Sequence, residues 1–282
     1  MDCIVCGHTT RNGLASWHRT CPACRYESAT LASTINDAQA HAQLNEADRE
    51  AGLKAVRQEN FKTIVEDAAA AAPGARTLLD VGCAHGWFLE QASGRFDVLG
   101  MEPDEAVARI TRSKGWNVRE GYFPEALAAH ETFDIIVFND VIEHIPDIAT
   151  ALSACHARLN KDGLLILNLP NSRGFFYRLA KLFVHLGWKS PFERLWQKGL
   201  PSPHVHYFEA ANLTALLAKQ GFSVERQAEL PTVRASGLLQ RLRCTGTTRG
   251  AALYAQYLAV LATLPLLSAF PSDIVVCMFR KN

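Results

Sequence analysis

The chain has 282 residues, 48% hydrophobic and 20% charged, with a formal net charge of +1. That is the composition of a globular protein with room for one large domain plus appendages. The near-neutral balance gives no general electrostatic pull toward nucleic acid, although a local basic patch remains open. The opening MDCIVCGHTT has neither a basic n-region nor an apolar h-region, so no signal peptide is visible, and the eight cysteines read as reduced thiols of a cytoplasmic protein.

Cys3 and Cys6 form one C-x-x-C and Cys21 and Cys24 another, with 14 residues between the pairs. Each short turn can aim two thiolates at one ion, and two turns complete a closed tetrahedral site. Residues 1–28 are therefore expected to be a small zinc ribbon holding a structural Zn(2+), with His8 and His18 at its surface. A module this small cannot bury enough core unaided, so the metal would supply its folding free energy. Residues 29–72 are rich in Ala, Gln and Glu and contain no proline, which predicts a helical connector ending at Pro73-Gly74.

From Thr77 strands and helices alternate. Strands are expected at TLLDVG, DVLGMEP, WNVREG, FDIIVFND, LLILNLPN, FSVERQAE and DIVVCMF. Helices are expected at 86–94, at DEAVARITRSKG with Asp104 as its cap, at IATALSACHARLNKDG ending at Gly163, and at EAANLTALLAKQG. Such alternation means an α/β fold: a Rossmann-like, doubly wound, mostly parallel seven-stranded sheet over 73–282, with ligands at the carboxyl ends of its strands.

The turn LLDVGCAHGWFLE is a strand–helix junction without the G-x-G-x-x-G spacing of a dinucleotide fingerprint. Gly82 and Gly86 let the backbone approach a ligand and a helix N-terminus follows. The next strand ends at Glu102, 22 residues after Asp80, where a carboxylate can accept from both hydroxyls of a ribose. An acid at that point could also serve NAD, but the glycine spacing argues against it.

LLDVGCAHGWFLE, LGMEPDE and FDIIVFNDVIEHIPD together resemble the successive motifs of class I S-adenosylmethionine-dependent methyltransferases. The subgroup most similar is that of the ubiquinone-biosynthesis O-methyltransferases. The resemblance covers residues 77–227 and the final strand. It implies S-adenosyl-L-methionine as cofactor, with Asp80 and the backbone of Gly82, Ala84 and Gly86 at its methionine part. It also implies Glu102 on the ribose, and Pro103, Asp104, Tyr122 and Phe123 at the adenine. Asn139 and Asp140 would lie beside the amino acid end and the methyl group. Ala84 departs from the family's usual glycine.

Transfer to a hydroxyl needs a base near neutrality. His144, just beyond the fourth strand, is the first candidate, and His204 and His206 in PSPHVHYFEAANL are the second; an extended backbone would put these two on one side and Tyr207 on the other. Glu143 and His144 alone are too few ligands for the divalent site reported in some quinone methyltransferases. The insertion 171–203 mixes aromatic and basic residues and reads as an amphipathic lid suited to an acceptor with a ring or lipid-like part. Residues 250–272 carry no charge and follow Arg234, Arg241, Arg243 and Arg249. They are expected to form a helical hairpin on a membrane surface or over the active site.

The expected function is thus methyl transfer to a hydroxyl of a small molecule, quinone-like, lipid-linked or saccharide, with possible contact to the inner membrane surface. Sugar C-methylation and RNA methylation are the alternatives, and a non-catalytic zinc-bearing binding module a further one. The ribbon resembles the zinc modules of deoxysugar C-methyltransferases, which carry a further C-terminal domain. It contains only Arg11, Arg19 and Arg25 and no lysine, which disfavours a nucleic-acid partner. A protein partner for the ribbon cannot be read from the sequence.

Overall fold

The computed structural model describes residues 1–32, 46–245 and 249–282; the part of the expected connector helix over 33–45 lies outside the described residues. Apolar runs with one polar residue at the carboxyl end form the central strands β4 (Thr77–Val81), β5 (Asp97–Glu102), β7 (Phe133–Asn139) and β8 (Leu159–Pro170). β6 (Val118–Glu120) lies at one edge, and β10 (Phe222–Leu230) and β11 (Ile274–Lys281) at the other. The order is β10-β11-β8-β7-β4-β5-β6, parallel from β8 to β6, with β11 antiparallel to both its neighbours. From β4 the chain runs outward to β6 and then returns to β7 on the other side. The switch point therefore lies at the carboxyl ends of β4 and β7, where sheets of this kind open a crevice.

Side chains alternate between two cores, as the pleat requires. Leu78, Ile135, Val137, Leu164 and Ile166 face the helices α1 (Glu46–Ala71) and α2 (Trp87–Ala92), meeting Phe61, Ile64 and Phe88. Leu79, Ile136, Phe138, Leu165 and Leu167 face the other side, meeting Leu152 of α4 (Ile148–Arg158) and Leu213 and Leu217 of α7 (Ala210–Lys219). The short helix α3 (Glu105–Ser113) starts as expected at Asp104, whose carboxylate accepts from the amides of Ala106 and Val107.

Two expected boundaries are corrected. α4 ends at Arg158, not Gly163, because buried Leu159 pairs with Phe133 and opens β8, while Asp162 takes a left-handed φ of 58°. The helical hairpin expected within 250–272 is instead one helix, α9 (Ala251–Leu267), with Pro265 in its last turn; α8 (Leu238–Thr245) precedes it. Among the described residues no helix is long and apolar enough to cross a membrane.

The N-terminal module is joined to the rest by backbone pairing. Its strands β1 (Arg11–Asn12), β2 (His18–Thr20) and β3 (Glu27–Ala29) continue into β9 (His206–Tyr207) in a second, four-stranded sheet. His18 is not at the surface. It is fully buried, 2.8 Å from Glu27 through Nε2 and edge-on to Phe192 and Trp196, because the insertion folds over this module. The insertion forms α5 (Phe175–His185) and α6 (Ser190–Leu195), and its aromatic residues divide. Tyr177, Phe192 and Trp196 pack with Leu14 and Trp17 of the N-terminal module, whereas Trp188 is exposed.

Glu27 is the hub of this junction. Its carboxylate takes hydrogen bonds from His18, from the Tyr177 hydroxyl and from Lys181 Nζ, each at 2.8 Å, and these donors hold it below the usual carboxylate range despite its burial. Replacing Glu27 by Ala would leave two buried donors and a half-buried cation unanswered. We expect a loss of about 3–5 kcal/mol, read as a lowered urea midpoint, with Glu27→Gln intermediate.

Candidate active site

The site is built where β4, β5 and β7 end. β4 closes on Asp80, which is 1% exposed, and the turn behind it is left-handed at Gly82 (φ 74°), Ala84 (φ 42°) and Gly86 (φ 80°). A Cβ on Gly82 would lie 2.6 Å from Val141 Cγ2, so this turn and the one after β7 approach closely enough to need a glycine. Ala84 occupies its place with a backbone angle that L-residues rarely adopt, which explains why glycine is usual there.

Burial pushes the Asp80 carboxyl up to about 7, with Glu102 adding to the rise; its hydrogen bond comes from Asn139 Nδ2 at 3.4 Å. Asn139 in turn accepts from Asn168 Nδ2 at 3.3 Å, its neighbour across β7 and β8. Burial also raises Glu102, whose two oxygens accept from the amides of Ala84 and Asp104 at 3.0 Å each. One carboxylate thereby ties the turn after β4 to the turn after β5. The amide of Gly121 donates to the Glu102 carbonyl and brings in Tyr122, half exposed, and Phe123, edge-on to Phe138 at 5.6 Å. Pro103 and Asp104 sit between these turns, and Asp104 caps α3.

Asp140, at a left-handed φ of 55°, accepts from Arg57 Nη2 of α1 at 2.8 Å. α1 therefore reaches over the carboxyl edge of the sheet, and Lys54 lies 6.0 Å above the Trp87 ring. Sequence reasoning missed Arg57 because nothing within an evenly charged helix marks one arginine. Asn168 left a fainter signal, a lone amide in the apolar run LLILNLP.

Beyond β7 a single 3-10 turn, Ile142–His144, brings together Glu143, His144 and His204. Glu143 is fully buried, its carboxylate oxygens have no hydrogen-bond partner among the described residues, and burial with Asp140 nearby raises its pKa well above the usual range. Its Oε1 lies 3.9 Å from Nε2 of both His144 and His204. His144 Nδ1 is 3.0 Å from the Pro203 carbonyl, which can only accept, so Nδ1 carries a proton and in the neutral ring the lone pair is on Nε2. His204 Nε2 is 2.8 Å from the Gln197 amide.

The two later histidines do not share a side. His206 turns to the N-terminal module, with Nδ1 on the Tyr26 hydroxyl and Nε2 2.9 Å from the Ile145 carbonyl, and burial lowers it to about 4. With both ring nitrogens engaged it is a structural residue, while His144 and His204 line the site.

Two clusters have metal-ligand chemistry: Cys3, Cys6, Cys21 and Cys24, and Glu143, His144 and His204, with the ligand atoms in each set within 4.8 Å of one another. In the first, Cys3–Cys24 and Cys6–Cys21 sulfur separations are 3.5 and 3.4 Å, close to the roughly 3.8 Å edge of a tetrahedron with 2.3 Å metal–sulfur bonds. In the second, a buried carboxylate without a donor is a natural place for a cation.

This geometry agrees with what the chain is similar to. A methyltransferase domain family matches residues 53–227, more than half of the chain. The chain belongs to this methyltransferase family. A ubiquinone biosynthesis O-methyltransferase of Paramagnetospirillum magneticum is 29% identical over 161 residues, 54% of this chain and 61% of the relative. A probable S-adenosylmethionine-dependent methyltransferase of Mycolicibacterium smegmatis is 28% identical over 153 residues, 53% of each chain. The chain thus spans a little over half the length of these curated relatives. Among solved structures, a S-adenosylmethionine-dependent methyltransferase of Thermotoga maritima, a possible histamine N-methyltransferase, superposes with a TM-score of 0.56 at 18% identity, covering 86% of this chain and 97% of that one. The magnesium protoporphyrin IX methyltransferase of Synechocystis gives 0.53 at 14% identity, covering 85% and 89%. At these identities the structures show that the chain shares their fold.

The turn geometry makes opposite predictions for its two small residues. Gly82→Ala should lose about 2–4 kcal/mol, from the left-handed backbone and the clash with Val141. Ala84→Gly should be within about 1 kcal/mol of the parent, because relieved strain offsets the added freedom of the unfolded chain. Urea unfolding of the two variants checks both.

Proposed function

We propose that this protein transfers the methyl group of S-adenosylmethionine to a hydroxyl of a small amphiphilic acceptor. The observation that carries the reading is the row of acids at the ends of β4, β5 and β7, with Asp80 and Glu102 buried and Asp140 half-buried, beneath a left-handed backbone turn. Bound S-adenosylmethionine supplies a methyl group that its own sulfonium charge has already activated. The protein's share is alignment, charge balance and exclusion of water.

The residues fit such a ligand. Asp80 is short of donors and would take its ammonium group. Glu102, anchored on two amides, keeps lone pairs for both ribose hydroxyls. Arg57, half-buried over Asp140, is in reach of a carboxylate at the amino acid end. Pro103, Tyr122 and Phe123 offer an apolar wall for the adenine. On the acceptor side His144 Nε2 is the atom that takes the hydroxyl proton as charge develops. The Glu143, His144 and His204 set also fits a divalent cation; such an ion would occupy the His144 Nε2 lone pair, so it would act in place of that base, lowering the pKa of the same hydroxyl itself. The four N-terminal cysteines fit a structural zinc ion.

Support for an amphiphilic acceptor comes from two adjoining cavities, the first of them beside His204. One of about 470 Å³ is lined by His204, Gln197, Tyr207, Arg194 and Asp273 among polar residues and by Phe176, Leu179, Phe183 and Leu195 among apolar ones. The next, of about 650 Å³, shares Phe176, Thr232 and Asp273 with the first and extends to Leu264, Leu267 and Phe270 at the end of α9. α9 is uncharged, and its outward residues include Tyr254, Leu258 and Leu266, all more than half exposed. An ordinary surface helix presents charge there. A membrane-borne acceptor, met at the inner surface of the membrane, suits both the cavities and the helix.

Calorimetric titration with S-adenosylmethionine tests the cofactor reading. Glu102→Ala should weaken binding by about 1.5–3 kcal/mol, the cost of charge-assisted hydrogen bonds. Pairing with ammonium requires ionised Asp80, so binding below a pKa of about 7 releases a proton. Affinity should therefore fall toward a limit of about tenfold per unit as pH drops below that value, and Asp80→Asn should flatten the slope. Absence of binding at any pH would overturn the reading.

Vesicle flotation tests the acceptor's setting. The full chain should float with vesicles containing phosphatidylglycerol, and Leu258→Glu with Leu266→Glu should abolish this while leaving cofactor binding intact. Equal recovery of the double variant would remove α9 from the account.

A further inference from the structure

The N-terminal module is more than an appended domain, because its residues reach the back of the acceptor site. Tyr26 stands two residues beyond Cys24 and is 2% exposed. Its hydroxyl bonds His206 Nδ1, and its ring packs at 5.1 Å from Phe208. His206 Nε2 meets the Ile145 carbonyl at 2.9 Å; since that carbonyl only accepts, Nε2 holds the proton and Nδ1 accepts from Tyr26. One tautomer is thus selected by the partners at both ends.

The backbone repeats the same connection. β3 pairs with β9 through Glu27↔Tyr207 and Ser28↔His206, and the Ala29 amide donates to the Val205 carbonyl at 3.0 Å. The Val205 amide in turn donates to the Glu143 carbonyl at 2.9 Å, and His144 donates to the carbonyl of Pro203. The segment 203–207 is therefore held between the N-terminal module on one side and the Glu143–Ile145 turn on the other. Asn212 Nδ2, bonded to the Cys24 carbonyl at 3.2 Å, and Arg25, paired with Glu209 at 2.9 Å, fix the cysteine turn itself against α7. None of these contacts reaches Asp80, Glu102 or Asp140.

We propose that the N-terminal module is a working part of the acceptor-side wall. Tyr26 is a positioning residue that locks His206, and through it the Ile145 turn, so that metal loading of the four cysteines sets the spacing of Glu143, His144 and His204. The cofactor half of the site is independent of it. The proposal rests on the methyltransferase reading only for which ligand each half takes, since the coupling itself belongs to the resting protein.

The test is side-chain nitrogen–proton NMR of the full chain with labelled histidine, alongside calorimetry with S-adenosylmethionine and measurement of bound zinc. Tyr26→Phe keeps the ring and removes the hydroxyl. With zinc retained, it should shift the Nδ1 signal of His206, which loses its donor, and shift the signals of His144 and His204, while cofactor affinity is unchanged. Releasing zinc from the wild-type chain with a mercurial, and restoring it, should reproduce and reverse the same shifts. His144 and His204 signals that ignore both Tyr26→Phe and zinc release would overturn the proposal. So would a loss of cofactor affinity matching their change, which would indicate general unfolding rather than a one-sided wall. Failure of the cofactor reading would show separately, as absence of S-adenosylmethionine binding with the histidine coupling intact.

Discussion

A carboxylate removed from water must find a donor or a cation, or take up a proton. The carboxyl edge of this sheet gathers Asp80, Glu102, Asp140 and Glu143, and each meets that demand differently. Glu102 has two backbone amides, Asp140 has Arg57, Asp80 has one long bond from an amide side chain, and Glu143 has no hydrogen-bond partner among the described residues. Buried acids gathered at the ends of three adjoining strands repel one another in a low-dielectric crevice unless positive charge is brought in. The fold thus creates a demand for cationic ligands, and in the proposed reading a sulfonium compound bearing an ammonium group would meet it at Asp80. Glu143 is set apart by its histidines, which can answer it with a proton or share a metal ion with it.

The same demand explains why the turn between β4 and α2 is so constrained. Glu102 can accept from Ala84 only if the backbone swings its amide inward, which takes left-handed angles at three positions within five residues. Two are glycines. Ala84 accepts the strain, and Thr111 donates to its carbonyl at 2.7 Å and helps to hold it there. The departure from glycine is therefore a local energetic cost carried by the surrounding packing, and the turn retains its shape.

How much of this was legible follows from what range of interaction made each part. The parallel strands read directly, because burial on both faces makes them near-continuous apolar runs and their polar ends mark the crevice. Asp80, Glu102 and the glycines read from spacing along the chain. The helix boundary at Arg158 did not, since local propensity runs on through Leu159 while a strand neighbour 26 residues earlier, Phe133, claims that residue. His18 reads as a surface residue because four cysteines already satisfy the ion, whereas its burial depends on Phe192 and Trp196, far along the chain. Arg57 and the separation of His204 from His206 are likewise products of tertiary packing that no local pattern encodes.

That packing also redistributes the work of the insertion. An aromatic, basic segment beside an active site suggests a surface held ready for substrate. Here Tyr177, Phe192 and Trp196 are consumed by contact with Leu14, Trp17 and His18, and Lys181 by Glu27. What remains facing the cavities is a mainly apolar set that includes Phe175, Phe176, Leu179, Phe183 and Leu195, with Arg194 and Gln197 as its polar members. The N-terminal module thus determines which residues of the insertion are left facing the cavities. It does so at the expense of burying a charged hub, Glu27, whose four-residue network of His18, Tyr177, Lys181 and carboxylate must be complete to be stable. A hydrophobic junction would hold the two parts together as well, but it would tolerate sliding. Directional bonds to a single carboxylate fix the register of β3 against α5, and with it the position of β9 and of the histidine beside the acceptor cavity.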